Sequence, residues 1–260
     1  MLIDSHTHLD HCEQDAGTLI ADAWTAGVGL IIQSGIDLER SRYSVQLAHR
    51  FPEVFATVGF NPQEAGLLTG KMMEAIDELS TDGRGVAIGE TGLDFYHDSW
   101  PHGVQTDVFV RHIHLARHAG LPLVVHTRDA ADLTLSLLAE HADGMTVILH
   151  CFSLPDRLPD IIDRGYYVSF AGNVTYNKAA RLQQAAADAP DHLLLLETDA
   201  PWLTPVPFRG KPNRPALVAH TYEFVAGLRN MSVHDLEQQV ELNVRRAFPR
   251  IADQFPGKQP

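Results

Sequence analysis

Met1-Leu2-Ile3-Asp4-Ser5-His6-Thr7-His8 opens the chain as a short apolar run that closes on two histidines, one residue apart. In a β-strand, residues i and i+2 face the same side, so His6 and His8 present two imidazoles to one point. Neutral imidazole is the commonest side-chain metal ligand. Taken alone, the pair is weak evidence for a metal site and reads more readily as the polar end of a strand. The reading is decided by recurrence: short apolar runs ending in His, Glu or Asp return along the whole chain.

The predicted strands are Leu2 to Asp4, Val28 to Ile32, Val54 to Val58, Val86 to Gly89, Leu123 to Val125, Thr146 to Leu149, Tyr166 to Phe170 and Leu193 to Leu196. Their residues are apolar almost throughout and do not alternate, the mark of parallel strands buried on both faces. Helical stretches lie between them. One runs from about Thr18 to Ala26 and stops at Gly27, a good residue for that end. Asp37 caps the next, and Met72 to Leu79 forms another. Val104 to Ala119 carries Phe109, Ile113 and Ala116 at helical spacing. Leu133 to Leu138, Pro155 to Arg164 and Lys178 to Ala187 follow. The chain is also helical from about Pro215 to Gly227, and Ser232 with Asp235 reads as a capping box opening a last helix. Strand and helix alternate about eight times, which predicts an α/β fold of the (β/α)8 TIM-barrel type. A doubly wound open sheet is less economical, because no glycine-rich phosphate loop follows the first strand. No repeat or linker divides residues 1–260, so a single domain is expected.

The 260 residues are 45% hydrophobic and 20% charged, with 20 Lys+Arg against 33 Asp+Glu and a formal net charge of -13. A protein that grips duplex DNA by neutralising phosphates is usually basic, so an anionic substrate here requires positive charge brought in locally, as bound divalent metals would do. The two cysteines, Cys12 and Cys151, imply no disulfide framework. No basic segment leads into an apolar core at the start, and no apolar run nears the ~20 residues of a membrane span. A cytoplasmic protein with no membrane association and no obligate protein partner is expected. Of the 15 histidines, His112, His114 and His118 fall in a helix expected to face solvent. The residues from Gln254 to Pro260 read as a loose tail.

In such barrels the catalytic groups stand at the carboxyl ends of the strands. Here those ends carry His6 and His8, Glu90, His126, His150 and Asp199. Each has a bland reading as a cap. Their convergence on one mouth favours a metal site. Imidazole with carboxylate suits zinc, manganese, iron or nickel, and magnesium with more water. Six ligands exceed what one tetrahedral ion needs, and two ions roughly 3.5–4 Å apart would use them better. Glu90 has two oxygens with which to bridge them, and Asp199 could accept a proton from an activated water.

The loop Pro201 to Pro215 follows Asp199 directly and carries Arg209, Lys211 and Arg214. Arg can hold a phosphate through two hydrogen bonds, and Trp202 and Phe208 could stack on a base. The alternative is a rigid closing loop with solvated charges. Arg128, beside His126, reads as either an anion contact or a member of a structural ion pair.

The stretches Ile3 to Asp10, Ala87 to Tyr96, His126 to Ala130, His150 to Phe152, Glu197 to Pro201 and Arg209 to Asn213 together resemble the TatD family of metal-dependent hydrolases, in order and in spacing. The resemblance implies a barrel of the metallo-dependent hydrolase type with two divalent ions, Mg, Mn or Zn. It implies His6, His8 and Asp199 on one ion, His126 and His150 on the other, and Glu90 bridging. It also implies deoxyribonuclease activity, with single-stranded DNA as substrate and 3′-to-5′ exonuclease action. Arg128, Arg209, Lys211 and Asn213 are then candidate substrate contacts. One departure stands out: Gly59-Phe60-Asn61-Pro62-Gln63 has Asn61 where the family pattern has a histidine near the substrate. Asn61 cannot carry a positive charge or exchange a proton near neutral pH, which bears on substrate or rate and leaves the six ligands untouched.

Cleavage of a DNA phosphodiester by a two-metal-activated water is therefore the expected function. Hydrolysis of a small amide, lactone or phosphoester is the nearest alternative, since a barrel does not choose among them. A non-enzymatic metal-holding partner protein is the more distant one.

Overall fold

The computed structural model describes residues 1–254; the expected tail from Phe255 to Pro260 lies outside the described residues. Gln254 belongs instead to a terminal helix, where its side chain donates to the Arg250 carbonyl at 3.2 Å. Eight strands form one sheet in the order of the chain, β1 to β8. They are β1 Leu2–Thr7, β2 Val28–Ser34, β3 Val54–Val58, β4 Gly85–Asp94, β5 Leu123–Arg128, β6 Val147–Leu149, β7 Tyr167–Phe170 and β8 Leu194–Leu196. Helices alternate with them: α1 Ala16–Thr25, α2 Leu38–Arg50, α3 Gly70–Ser80, α4 His102–Ala119, α5 Ala131–His141, α6 Leu158–Asp163, α7 Ala180–Asp188, α8 Val218–Leu228, α9 Val233–Ala247 and α10 Pro249–Gln254. This order and alternation make the fold a (β/α)8 TIM barrel. Among the described residues no helix is long and apolar enough to cross a membrane.

The chain divides into two compact units. The first joins Met1–Gln33 to His150–Arg246. There β1 pairs with β2, and β7 with β8, all parallel. Ile3, Leu30 to Ile32, Val168, Phe170 and Leu194 to Leu196 are buried, which is why these runs are apolar on both faces. Tyr222 of α8 fastens the start of β1: its hydroxyl accepts from Ile3 N at 3.2 Å and donates to Ile3 O at 3.1 Å. We expect Tyr222→Phe to leave both buried backbone groups short of a partner and to cost about 1–3 kcal/mol, read as a lower denaturation midpoint at unchanged slope.

The second unit runs from Ser34 to Leu149 and takes in the C-terminal stretch from Ala247. Here β3, β4, β5 and β6 pair in parallel. Asp37 caps α2 as expected, its carboxylate accepting from Arg40 N at 2.8 Å. Strand β4 is longer than its apolar run, because its pairing with β5 continues through Gly92↔His126 and Asp94↔Arg128. Glu90 therefore sits inside β4 rather than at its end.

His112 corrects a sequence expectation. His114 and His118 are exposed, but His112 is 0% exposed. Its Nδ1 donates to Val108 O at 2.8 Å, and its Nε2 accepts from Phe60 N at 3.0 Å, so it ties α4 to the end of β3 as a neutral ring. Burial is the main cause that pushes its pKa from 6.5 down to about 4. Unfolding between those values takes up a proton. The stabilisation is thus fully present above pH 6.5 and is lost as pH falls toward 4. The full difference is about 3 kcal/mol. We expect the denaturation midpoint to drop through this window, and to drop less in His112→Gln, which keeps a donor and an acceptor without titrating.

Candidate metal centre

In the first unit, β1 delivers His6, His8 follows directly after its end, and the turn after β8 delivers Asp199. Backbone bonds from Asp199 N to His6 O (3.0 Å) and from His8 N to Ala200 O (2.9 Å) join the two segments. Asp199 has φ 53°, a left-handed conformation that Asp and Asn adopt more readily than other side-chain-bearing residues. His6 Nε2 and His8 Nε2 lie 3.1 Å apart, and Asp199 Oδ1 lies 3.9 Å and 3.5 Å from them. Ligand atoms placed about 2.0–2.2 Å from one ion stand roughly 3–3.5 Å from each other. Two imidazole nitrogens and a carboxylate oxygen at these separations fit one divalent cation. Burial pushes the Asp199 carboxyl up, but the His8 hydrogen bond and the nearby His150, His8 and His6 outweigh it and hold it below the usual range.

Two carboxylates stand behind this group. Asp4 accepts from Thr198 N at 2.8 Å and from Thr198 Oγ1 at 2.5 Å, which fixes the residue before Asp199. Burial pushes the Asp4 carboxyl up to about 8, against the two Thr198 bonds that pull it down. Glu197 Oε1 accepts from Cys151 N at 2.8 Å and lies 3.4 Å from His150 Nδ1. Glu197 thus sets a negative charge beside the His150 ring. The His150 ring stacks on that of His6, with centroids 3.9 Å apart.

In the second unit, Glu90 Oε1 lies 3.2 Å from His126 Nδ1, and His126 Nε2 lies 3.3 Å from Asp94 Oδ2. His126 thus turns one nitrogen to each carboxylate. Asp94 is a hub. Its Oδ2 also takes His97 Nδ1 at 2.6 Å, and its Oδ1 accepts from Tyr96 N and His97 N at 3.0 and 2.9 Å. Burial would raise its pKa, but the His126 and His97 hydrogen bonds prevail and hold it well below the carboxylate range. Gly92 is required at its position: its φ is 142°, and a Cβ there would sit 1.9 Å from His126 O.

The remaining expected site residues separate by role. Asn61 caps the turn Pro62–Leu67, its Oδ1 accepting from Gln63 N and Glu64 N at 3.1 and 3.2 Å. Arg128 lies over the Tyr96 ring at 3.7 Å. Arg209 lies over Tyr176 at 4.4 Å, and Lys211 is exposed. Asn213 is a correction. It is 2% exposed, and its amide donates to Thr198 O and Trp202 O and accepts from Arg214 N. With its hydrogen-bonding atoms engaged inside the loop, it braces the turn behind Asp199 instead of facing outward. Asp4, Glu197, Asp94 and His97 were not singled out by the sequence as individual site residues. The available signal was an Asp or Glu one or two positions from an expected ligand, and an Asp with a His three residues on.

The family model described as TatD related DNase matches residues 3–249. The chain is 36% identical to a Mycobacterium tuberculosis protein named as an uncharacterized metal-dependent hydrolase TatD, over 95% of this chain and 97% of that one. It is 33% identical to the Bacillus subtilis uncharacterized metal-dependent hydrolase YabD, over 95% and 99%. Among solved structures, the Escherichia coli TatD homologue YjjV superposes with a TM-score of 0.90 at 28% identity, covering 95% of this chain and 98% of that one.

Proposed function

The chain belongs to the family of TatD related DNases, a family of metal-dependent hydrolases, and from that premise we propose that it hydrolyses phosphodiester bonds of single-stranded DNA, removing nucleotides from the 3′ end. On the family's ligand pattern, His6, His8 and Asp199 would hold one divalent ion, and His126, His150 and Glu90 would supply ligands for a second. Bound Mg, Mn or Zn would supply positive charge against the phosphate oxygens and acidify a water.

The protein's own groups do the rest. The Asp199 carboxylate, kept ionised by the imidazoles around it, accepts a proton from the attacking water. Asp94, hydrogen-bonded to His126 Nε2, leaves Nδ1 of that ring for the ligand position, and Glu197 sets a negative charge beside His150. Arg128, Arg209 and Lys211 bring local cationic charge to a chain of net charge -13, which suits a short single strand better than a long duplex.

The observation that carries this reading is the convergence of His6 Nε2, His8 Nε2 and Asp199 Oδ1 within 4.8 Å. Its test is cleavage of an end-labelled single-stranded oligonucleotide with added magnesium or manganese, beside Glu90→Ala. We expect a shortening ladder from the 3′ end that the variant loses. No cleavage by metal-loaded wild type would overturn the DNA assignment and direct attention to small phosphoesters, lactones and amides.

A further inference from the structure

One aromatic side chain beside the candidate centre is left in the open. Trp202 is 47% exposed, and its indole centroid lies 5.3 Å from the His8 ring and 5.4 Å from the His11 ring. Phe208 of the same loop packs on His220 at 5.1 Å, and Tyr176, from the segment after β7, lies under Arg209.

The backbone holding Trp202 is fixed on both sides. Its N donates to Asp199 O at 3.0 Å, and its O accepts from Asn213 Nδ2 at 2.6 Å. The residues that follow press on Gly172, where a Cβ would meet Leu203 O at 2.2 Å and Pro205 Cδ at 2.8 Å. Tyr176 Oη then donates to Thr204 O at 3.1 Å, and Thr175 Oγ1 accepts from Val206 N at 2.8 Å. A tryptophan whose main chain is held this firmly, by its backbone N on Asp199 O and its carbonyl on Asn213, has little backbone freedom to lose when something flat lies against its indole.

Resting on the phosphodiesterase reading, we infer that Trp202 stacks on the nucleobase adjoining the scissile phosphate and sets the preference for single strands. An unpaired base offers its face to an aromatic ring. A base inside a duplex has both faces covered by its neighbours. Base–aromatic stacking of this kind changes affinity by about 5- to 150-fold.

The test uses metal-loaded protein and two strands of equal length, a short oligothymidylate and its abasic tetrahydrofuran counterpart. Trp202→Ala should raise KM for oligothymidylate about tenfold or more with kcat within about twofold, and should leave the abasic strand unaffected. Trp202→Phe should recover most of the loss. Independently of turnover, oligothymidylate should quench tryptophan emission, the abasic strand should not, and the quench should vanish in Trp202→Phe although Trp24 and Trp100 remain. Equal loss on both strands, or an unchanged KM, overturns the assignment. A Trp202-dependent quench without cleavage upholds base stacking by Trp202 and overturns the phosphodiesterase reading, and with it the placement beside a scissile phosphate. Cleavage indifferent to Trp202 does the reverse. Neither quench nor cleavage overturns both.

Discussion

Asp199→Asn should lower kcat on single-stranded DNA by roughly a thousandfold or more while the protein stays folded. Asn suits the left-handed φ of 53° at this position, where an alanine would be strained. The backbone bonds Asp199 N to His6 O and Trp202 N to Asp199 O do not involve the side chain. What changes is chemical. The amide has no negative charge to set against three imidazoles and cannot accept the proton of an attacking water. Steady-state kinetics beside metal content and circular dichroism would check this. Full turnover in the variant would remove Asp199 from the mechanism. A metal-loaded wild type inert on DNA and on small phosphoesters, lactones and amides alike would instead favour a non-enzymatic metal-holding protein.

The strands were legible in the sequence because they are buried on both faces, so runs such as Leu194 to Leu196 and Val147 to Leu149 are apolar without interruption. Their ends were less so. Strand β4 continues past its apolar run to Asp94 because β5 offers backbone partners as far as Arg128, and pairing of this kind is tertiary. His112 shows a signal that was present and undervalued. It stands with Phe109, Ile113 and Ala116 at i, i+3, i+4 and i+7, on the apolar stripe of α4, and all four are buried. His114, off that stripe, is exposed.

In the candidate centre, residues that offer an imidazole or carboxylate at the end of an apolar run announced themselves. The carboxylates behind them did not. Glu197 and Asp4 read as ordinary neighbours until folding sets Glu197 against His150 and Asp4 against Thr198. Asn213 failed in the opposite sense. A polar residue in a cationic loop suggests contact with substrate, yet its atoms are taken up by Thr198, Trp202 and Arg214.

Asp94→Asn should weaken divalent-metal binding about 10- to 100-fold with little change in fold. The reason is a conflict of donors. Oδ2 of Asp94 receives both His97 Nδ1 and His126 Nε2, while Oδ1 receives the amides of Tyr96 and His97. A carboxylate accepts at both oxygens, whereas an amide accepts at one and donates at the other. If the Asn oxygen faces the two imidazoles, its NH2 meets two backbone N–H groups. If the NH2 faces the imidazoles, His126 Nε2 must become an acceptor and the proton moves to Nδ1. That nitrogen is the one 3.2 Å from Glu90 Oε1, and once protonated it has no lone pair for an ion. Metal titration by calorimetry on the stripped protein would measure the loss. A His97→Gln control removes the second imidazole while leaving His126 its carboxylate, and should bind metal within about threefold of wild type. Equal affinity in Asp94→Asn and wild type would show that Asp94 does not set the His126 tautomer.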